Sequence, residues 1–472
     1  MVFRSEATSR IVCENRSCTA MGVAASTLAA WYDFYIFGSL AAILAVKFFE
    51  KGHPVAAFLS TVAIFSVGFL IRPLGAFFFG WLGDKVGRKY TFIVTLTGMG
   101  LATALIGFVP SYQTIGLAAA FILFALRLIQ GLCLGGEYGG AITYVAEHIE
   151  DEHRGYYTGW LQTSPTLGIV VSLATIIAIR TYLGTDAFNE WGWRLPFIIS
   201  LLLVAIAIWI RLSLGETPIF QDIKARGRTT TNPWREAFLS DNFKYVAIAT
   251  VVVLGQGCVC YSGQFWALYV LQTVKKLDVL TSSWIVGVAL LIGTPTLIFW
   301  GWLSDKIGRK PIILGGMALA PLTYYPLYSA LGVYADPKNL NYPMSILIVV
   351  VLVNYVGMTY GPIGAFLAEF FPSRIRYTSM SVPYHIGNGW GGGLVPIVTT
   401  SMYLSTNSVG YALLYPIIVP AVMFLIAVFV MPETRKHSIW EAAVGIRLGV
   451  PTAGVTGTVR PPGPAGPTPG GR

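Results

Sequence analysis

Long apolar stretches alternate with short polar ones along almost the whole chain. The apolar runs cover approximately 22–46, 56–80, 91–110, 115–146, 156–182, 194–212, 243–272, 282–301, 311–334, 343–371, 378–404 and 409–431. Each is close to the roughly 20 apolar residues a helix needs to cross ~30 Å of hydrocarbon. Pro165, Pro295, Pro362 and Pro383 fall inside runs, which argues against barrel strands, whereas spanning helices tolerate such breaks. The pattern predicts an all-α membrane protein with twelve transmembrane helices.

Composition agrees. Charged residues make up only 11% of the chain and hydrophobic ones 55%, whereas a soluble domain carries about 25% charge. Such a surface is solvated by lipid. The net charge of +10 then becomes a topology signal. With the N-terminus inside, 23 of the 32 Lys and Arg fall in cytoplasmic segments, six of them across 211–244, and seven fall outside. Basic residues accumulate on the cytoplasmic side, so both termini are expected there. Nucleic-acid binding is not the reading of this charge. Residues 1–21 are polar and contain Glu6 and Glu14, unlike a signal peptide, and Met21 is an alternative start. The Pro/Gly-rich end of the tail, 449–472, is expected to be disordered. The five cysteines form no CxxC pair.

The chain also repeats itself. GWLGDKVGRK (80–89) returns as GWLSDKIGRK (301–310), each between two apolar runs. VAEHIEDEHR (145–154) matches LAEFFPSRIR (367–376), placing Glu147 on Glu369 and Arg154 on Arg376. GETP (215–218) matches PETR (432–435). Three phrases in one order at nearly one spacing imply two six-helix bundles, 22–212 and 243–431. A cytoplasmic linker, 213–242, joins them, with a tail at 1–21 and another at 432–472. An even helix number per half makes the halves parallel, related by an axis along the membrane normal. Transporters so built hold substrate at the midplane between the halves.

The turn motif GxLxDxxGRK and the phrase RLIQGLCLGGE (127–137) resemble the major facilitator superfamily. WYDFYIFG, GGEYGG, GPIGAFLAEFFPSRIRYT and PETRKHS resemble its metabolite:proton symporters, which include proline/betaine, α-ketoglutarate, citrate and shikimate permeases. The resemblance spans 31–438 and implies proton-coupled uptake of a small organic acid or zwitterion. A proton antiporter on the same fold is the alternative, and a channel or membrane enzyme a remote one. The implied setting is the inner (plasma) membrane, with the bilayer, a small molecule and protons as partners and a monomer as the working unit. One departure stands out: members of this branch often carry Glu three residues before Asp33, where this chain has Ala30. The resemblance also implies a cytoplasmic latch in which the turn aspartate meets basic residues and a helix N-terminus of the other half. Gly80, Asp84, Gly87 and Arg88 would form it in the first half, Asp305 and Arg309 in the second, with Glu147, Arg154, Glu369 and Arg376 in the same network.

Ionisable groups at mid-bilayer are costly and need a partner or a function. Asp33, Arg72, Arg127 and Glu137 all lie inside runs of the first half; the second half has none so central. Either the four neutralise one another, or Arg72 or Arg127 holds a substrate carboxylate while Asp33 or Glu137 carries the proton. His385, the only intramembrane histidine, is a third proton candidate and a cavity-lining one. Tyr261, Gln264, Tyr355, Tyr384 and Asn388 complete the substrate-binding candidates. No GxSxG, HExxH, metal-spaced Cys/His cluster or phosphate loop is present. Neither an enzyme, a cofactor nor a metal is expected.

Overall fold

The computed structural model describes residues 16–439 apart from 51, 214–216, 226–231, 240–241 and 374. The side chains of 16–19, 54, 88, 213, 218 and 222 are likewise outside the description. Most of the N-terminal tail, the Pro/Gly-rich end, the glutamate of GETP, Arg374 and the Arg88 side chain therefore lie outside the described residues.

Among the described residues, twelve long helical segments follow one another. The first half contains α1 (Arg16–Ser39, continued by Ala41–Phe48), α2 (Val55–Lys85), α3 (Arg88–Phe108), α4 (Ala118–His148), α5 (Arg154–Leu183) and α6 (Leu195–Ser213). The second contains α7 (Phe243–Val274), α8 (Val279–Ile307), α9 (Arg309–Tyr334), α10 (Tyr342–Phe370), α11 (Arg376–Ile386, Gly387–Gly392 and Val395–Thr406) and α12 (Val409–Val430). Nine of these are long and apolar enough to cross a membrane, and α1 is a tenth if its two parts, bent by 62° at Leu40, count as one span. The other two, α9 and α11, are helical over comparable lengths but richer in Pro, Gly and polar residues.

Glycine sets the closest packing. On α4, Gly131 and Gly135 lie so near α2 that a Cβ at either would strike the carbonyl oxygens of Gly68 and Arg72. One turn on, a Cβ at Gly139 would strike the Ser381 hydroxyl of α11. This is small-residue packing of the kind that lets spanning helices meet backbone to backbone. The halves meet along two seams, α2 against α11 and α5 against α8. At the second seam Gly155 and Gly301 press backbone against backbone.

Helical periodicity slips where the halves face each other. Ser262–Trp266 and Val270–Val274 in α7, and Gly387–Gly392 in α11, are π-helical, a form that appears mostly as local bulges and often at functional sites. The linker is more ordered than a basic loop. It carries helices at Pro218–Ala225 and Pro233–Phe238, and Trp234 stacks on Phe77 of α2 at 4.3 Å while its Nε1 donates to the Phe77 carbonyl at 3.0 Å.

Candidate transport site

Two polar layers cross the molecule. The first lies at the end where the two repeated turns sit. Gly87 and Gly308, at φ +136° and +110°, follow α2 and α8, and the left-handed region there favours glycine. Just before them, Asp84 accepts from the Thr378 backbone N–H at 3.0 Å and its hydroxyl at 2.7 Å, at the start of α11. Asp305 accepts from the backbone N–H groups of Gly155 and Tyr156, at 2.8 and 2.7 Å, at the start of α5. Each carboxylate therefore caps a helix of the opposite half, where the unsatisfied N–H groups and the helix dipole favour negative charge.

Around these caps the ion pairs are exchanged between halves. Arg154 meets Glu369 at 3.0 Å, and Arg376 meets Glu147 at 3.0 Å, all four buried. Arg309 joins Glu369 at 2.9 Å, Asp305 at 2.6 Å and the Ser304 hydroxyl at 2.6 Å. The serine that replaces the motif glycine thus holds Arg309. Glu433 of PETR caps α9 through the backbone N–H groups of Arg309 and Lys310, at 2.9 and 3.0 Å, and Thr434 donates to Glu369 at 2.6 Å. Gly80 lets α11 approach: a Cβ there would sit 3.0 Å from Thr378 Cα.

The second layer lies deeper. Arg72 and Arg127 are fully buried, with guanidinium carbons 4.0 and 4.1 Å from the centre of the Phe34 ring. Arg127 Nη1 donates to the Phe34 carbonyl at 3.2 Å and to Gln130 Oε1 at 2.7 Å. Its Nε and Nη2, and all three side-chain nitrogens of Arg72, have no hydrogen-bond acceptor. Phe69 and Trp31 flank Arg72; Phe37 and Phe65 flank Arg127. Cation–π contacts are worth ~0.5–2 kcal/mol each, a partial substitute for an anion. Asp33 is fully buried too, and neither carboxylate oxygen accepts a hydrogen bond.

The four intramembrane charges do not neutralise one another. Glu137 pairs instead with Arg211 at 2.9 Å and accepts from Thr27 at 3.3 Å and Thr95 at 3.4 Å. Arg211, counted in the sequence with the basic cytoplasmic residues, is 2% exposed near the end of α6. A carboxylate deep in α4 draws it inward.

Tyr261 of α7 reaches across to the Tyr35 hydroxyl of α1, 3.1 Å away, and packs edge-on to Phe69. Gln264 donates to Thr166 of α5 at 3.1 Å. Tyr384 stacks on Tyr138 of α4 with ring centres 3.3 Å apart, and its hydroxyl lies 2.6 Å from that of Tyr360. His385 stands edge-on to both stacked rings, neither ring nitrogen hydrogen-bonded. Asn388 stays within its own half, donating to Gln256 at 3.1 Å. Tyr355 is not brought to this layer. α10 turns it outward to α9, where its hydroxyl accepts from Thr323 at 3.0 Å. Among the described residues no cluster of three or more His, Cys, Asp or Glu side chains could hold a metal.

Residues 23–396, and in a second match 277–445, fit the family model described as Major Facilitator Superfamily. The chain belongs to this superfamily. It is 31% identical over 425 residues to the inner membrane metabolite transport protein YhjE of Escherichia coli (strain K12), covering 87% of this chain and 92% of that one. It is 33% identical over 381 residues to the citrate-proton symporter of Salmonella typhi, covering 80% and 85%. The proline/betaine transporter of Escherichia coli (strain K12) is 30% identical over 419 residues, covering 86% and 81%. The structure of the superfamily's proton:xylose symporter XylE bound to 6-bromo-6-deoxy-D-glucose superposes with a TM-score of 0.73 at 14% identity, over 90% of this chain and 98% of that one, which shows the shared fold. This superfamily member is thus a multi-pass membrane transporter and not an enzyme.

Three site residues of this superfamily member were not singled out from its sequence. Phe34 carries no polar group to draw the eye. Tyr138 sits in GGEYGG beside the glutamate. Arg211 is an arginine inside the last turn of a greasy run, and its depth was the missed signal.

Proposed function

We propose that the protein takes up a small carboxylate-bearing metabolite together with protons, by alternating access at the layer built around Arg72 and Arg127. The observation that carries this reading is the pair of buried guanidiniums with five nitrogens lacking acceptors and no carboxylate partner among the described residues. A substrate carboxylate supplies those acceptors, in charge-assisted bonds about twice as strong as neutral ones. Asp33, whose neighbour Phe34 touches both arginines, takes the proton. A carboxyl whose charged and polar neighbours change between the inward and outward states changes its hold on a proton. Glu137 is tied to Arg211 and anchors α4 to α6.

The basic bias places both termini and the paired turns on the cytoplasmic side. The latch is shut here, so the inner gate is closed. The working unit is a single chain. The test is uptake by proteoliposomes of labelled mono-, di- and tricarboxylates, proline and betaine under an imposed proton gradient. An acid-inside gradient driving accumulation would instead make it an antiporter. Accumulation of a neutral sugar with none of these carboxylate-bearing solutes transported would move the arginines out of the substrate site.

A further inference from the structure

The seam between α5 and α8 is tight at one end and open at the other. The helices run antiparallel, with Gly155 against Gly301 and Gly159 against Leu297 near the turns. Farther along they diverge around a groove of about 330 Å³. Val170, Ala174 and Ala178 line it from α5; Ser283, Gly287 and Leu291 line it from α8. At Gly287 a Cβ would meet only Leu173 Cδ1, at 3.9 Å, so the space beside that backbone is open. Ala174, Ala178 and Leu291 are exposed along the groove.

One feature of this groove is not apolar. Ser283 is one of the lining residues, and its hydroxyl, buried just beneath the wall, has no hydrogen-bond partner. A buried unmet donor costs ~1–3 kcal/mol, which an acceptor in the groove would relieve. Depth says which acceptor. α8 has 29 residues, about 43 Å at 1.5 Å per residue, against ~30 Å of hydrocarbon. Ser283 lies four residues inside its start, about 6 Å, which is where the hydrocarbon meets the ester layer. Trp284 beside it is half exposed, as aromatic residues are at that boundary. Basic residues flank both helix ends: Arg180 two residues beyond Ala178, and Lys275 and Lys276 just before α8.

We infer that this groove binds one phospholipid, an acyl chain lying between α5 and α8, an ester carbonyl accepting from Ser283, and the phosphate among Arg180, Lys275 and Lys276. The lipid then lies between the two halves at the end opposite the latch. If the halves rock as proposed above, closing that end expels the chain, so the lipid favours the latched state. That consequence rests on the transport reading; occupancy of the groove does not.

The test counts lipid, not transport. Chain purified in detergent and stripped of lipid is titrated with phosphatidylglycerol, phosphatidylethanolamine or oleate and weighed by native mass spectrometry. Wild-type chain is expected to take one phospholipid of either headgroup, Gly287→Leu at least tenfold less, and Ser283→Ala several-fold less. Leu291→Trp adds bulk from the exposed flank and should likewise lose lipid, which covers the case in which Gly287→Leu fails to fold. Melting temperatures identify folded variants. Equal phospholipid occupancy in wild type and the folded groove variants overturns the site. So does oleate binding as tightly as phospholipid, because a free fatty acid has neither the ester nor the phosphate.

Discussion

The two polar layers follow opposite rules. In the latch, the repeat of 222 residues is kept in three dimensions. Asp305 caps Tyr156 and Asp84 caps Thr378, which is position 156 shifted by that repeat. Arg154 with Glu369 and Arg376 with Glu147 are the same pair read in both directions. In the midplane layer nothing is mirrored. Both guanidiniums, the uncapped carboxylate and the Glu137–Arg211 pair belong to the first half, while the second contributes Tyr261, Gln264, Tyr384 and His385. Closing a gate needs both halves to grip equally, so symmetry survives there. On the proposed reading, recognising a substrate and a proton needs only a single set of charges, so symmetry is lost there.

Removing the midplane cations should break the comparison most severely. Arg127→Leu or Arg72→Leu is expected to cut uptake and counterflow at least 100-fold with the chain still folded; a variant with near-normal counterflow would take that arginine out of substrate binding. Next come the carboxylates. Asp33→Asn should abolish accumulation against a gradient while leaving counterflow within about tenfold, because only proton coupling is lost. Glu137→Gln should instead lower the melting temperature, since removing one partner of a buried ion pair costs ~3–5 kcal/mol, and surviving protein should still accumulate substrate. The reverse outcome for the two would exchange their roles.

The latch variants sharpen its symmetry. Asp84→Asn and Asp305→Asn each weaken a cap worth ~0.5–2 kcal/mol, so each should raise labelling of a cysteine placed inside the latch by roughly 2- to 30-fold. Equal labelling in wild type and both variants would make the latch decorative. The smallest effect belongs to Tyr355→Phe, which should leave KM within twofold because its hydroxyl bonds to α9.

The fold was legible because the bilayer demands it. Runs near twenty apolar residues have one use, and the repeated turn phrase fixed where the second half begins. Even α11, the most polar of the helices, is placed by counting six from α5. The site was legible by residue type and not by partner. Glu147 and Arg154 were read as one network with Glu369 and Arg376, yet only the packed halves show the exchange between them. Tyr355 and Tyr360 lie on one helix, and a sequence does not say which faces inward; the structure turns Tyr360 to Tyr384 and Tyr355 away. Arg211 was hidden by its place at a helix end, where a basic residue is ordinarily a topology marker.

The glycine face of α4 has a mechanical outcome. Because Gly131 and Gly135 fuse its backbone to that of α2, Arg72 and Arg127 ride on one beam. If the halves rock as proposed, that spacing stays fixed while the molecule swings, and the pair would act as a caliper that gauges the same anion from either side of the membrane.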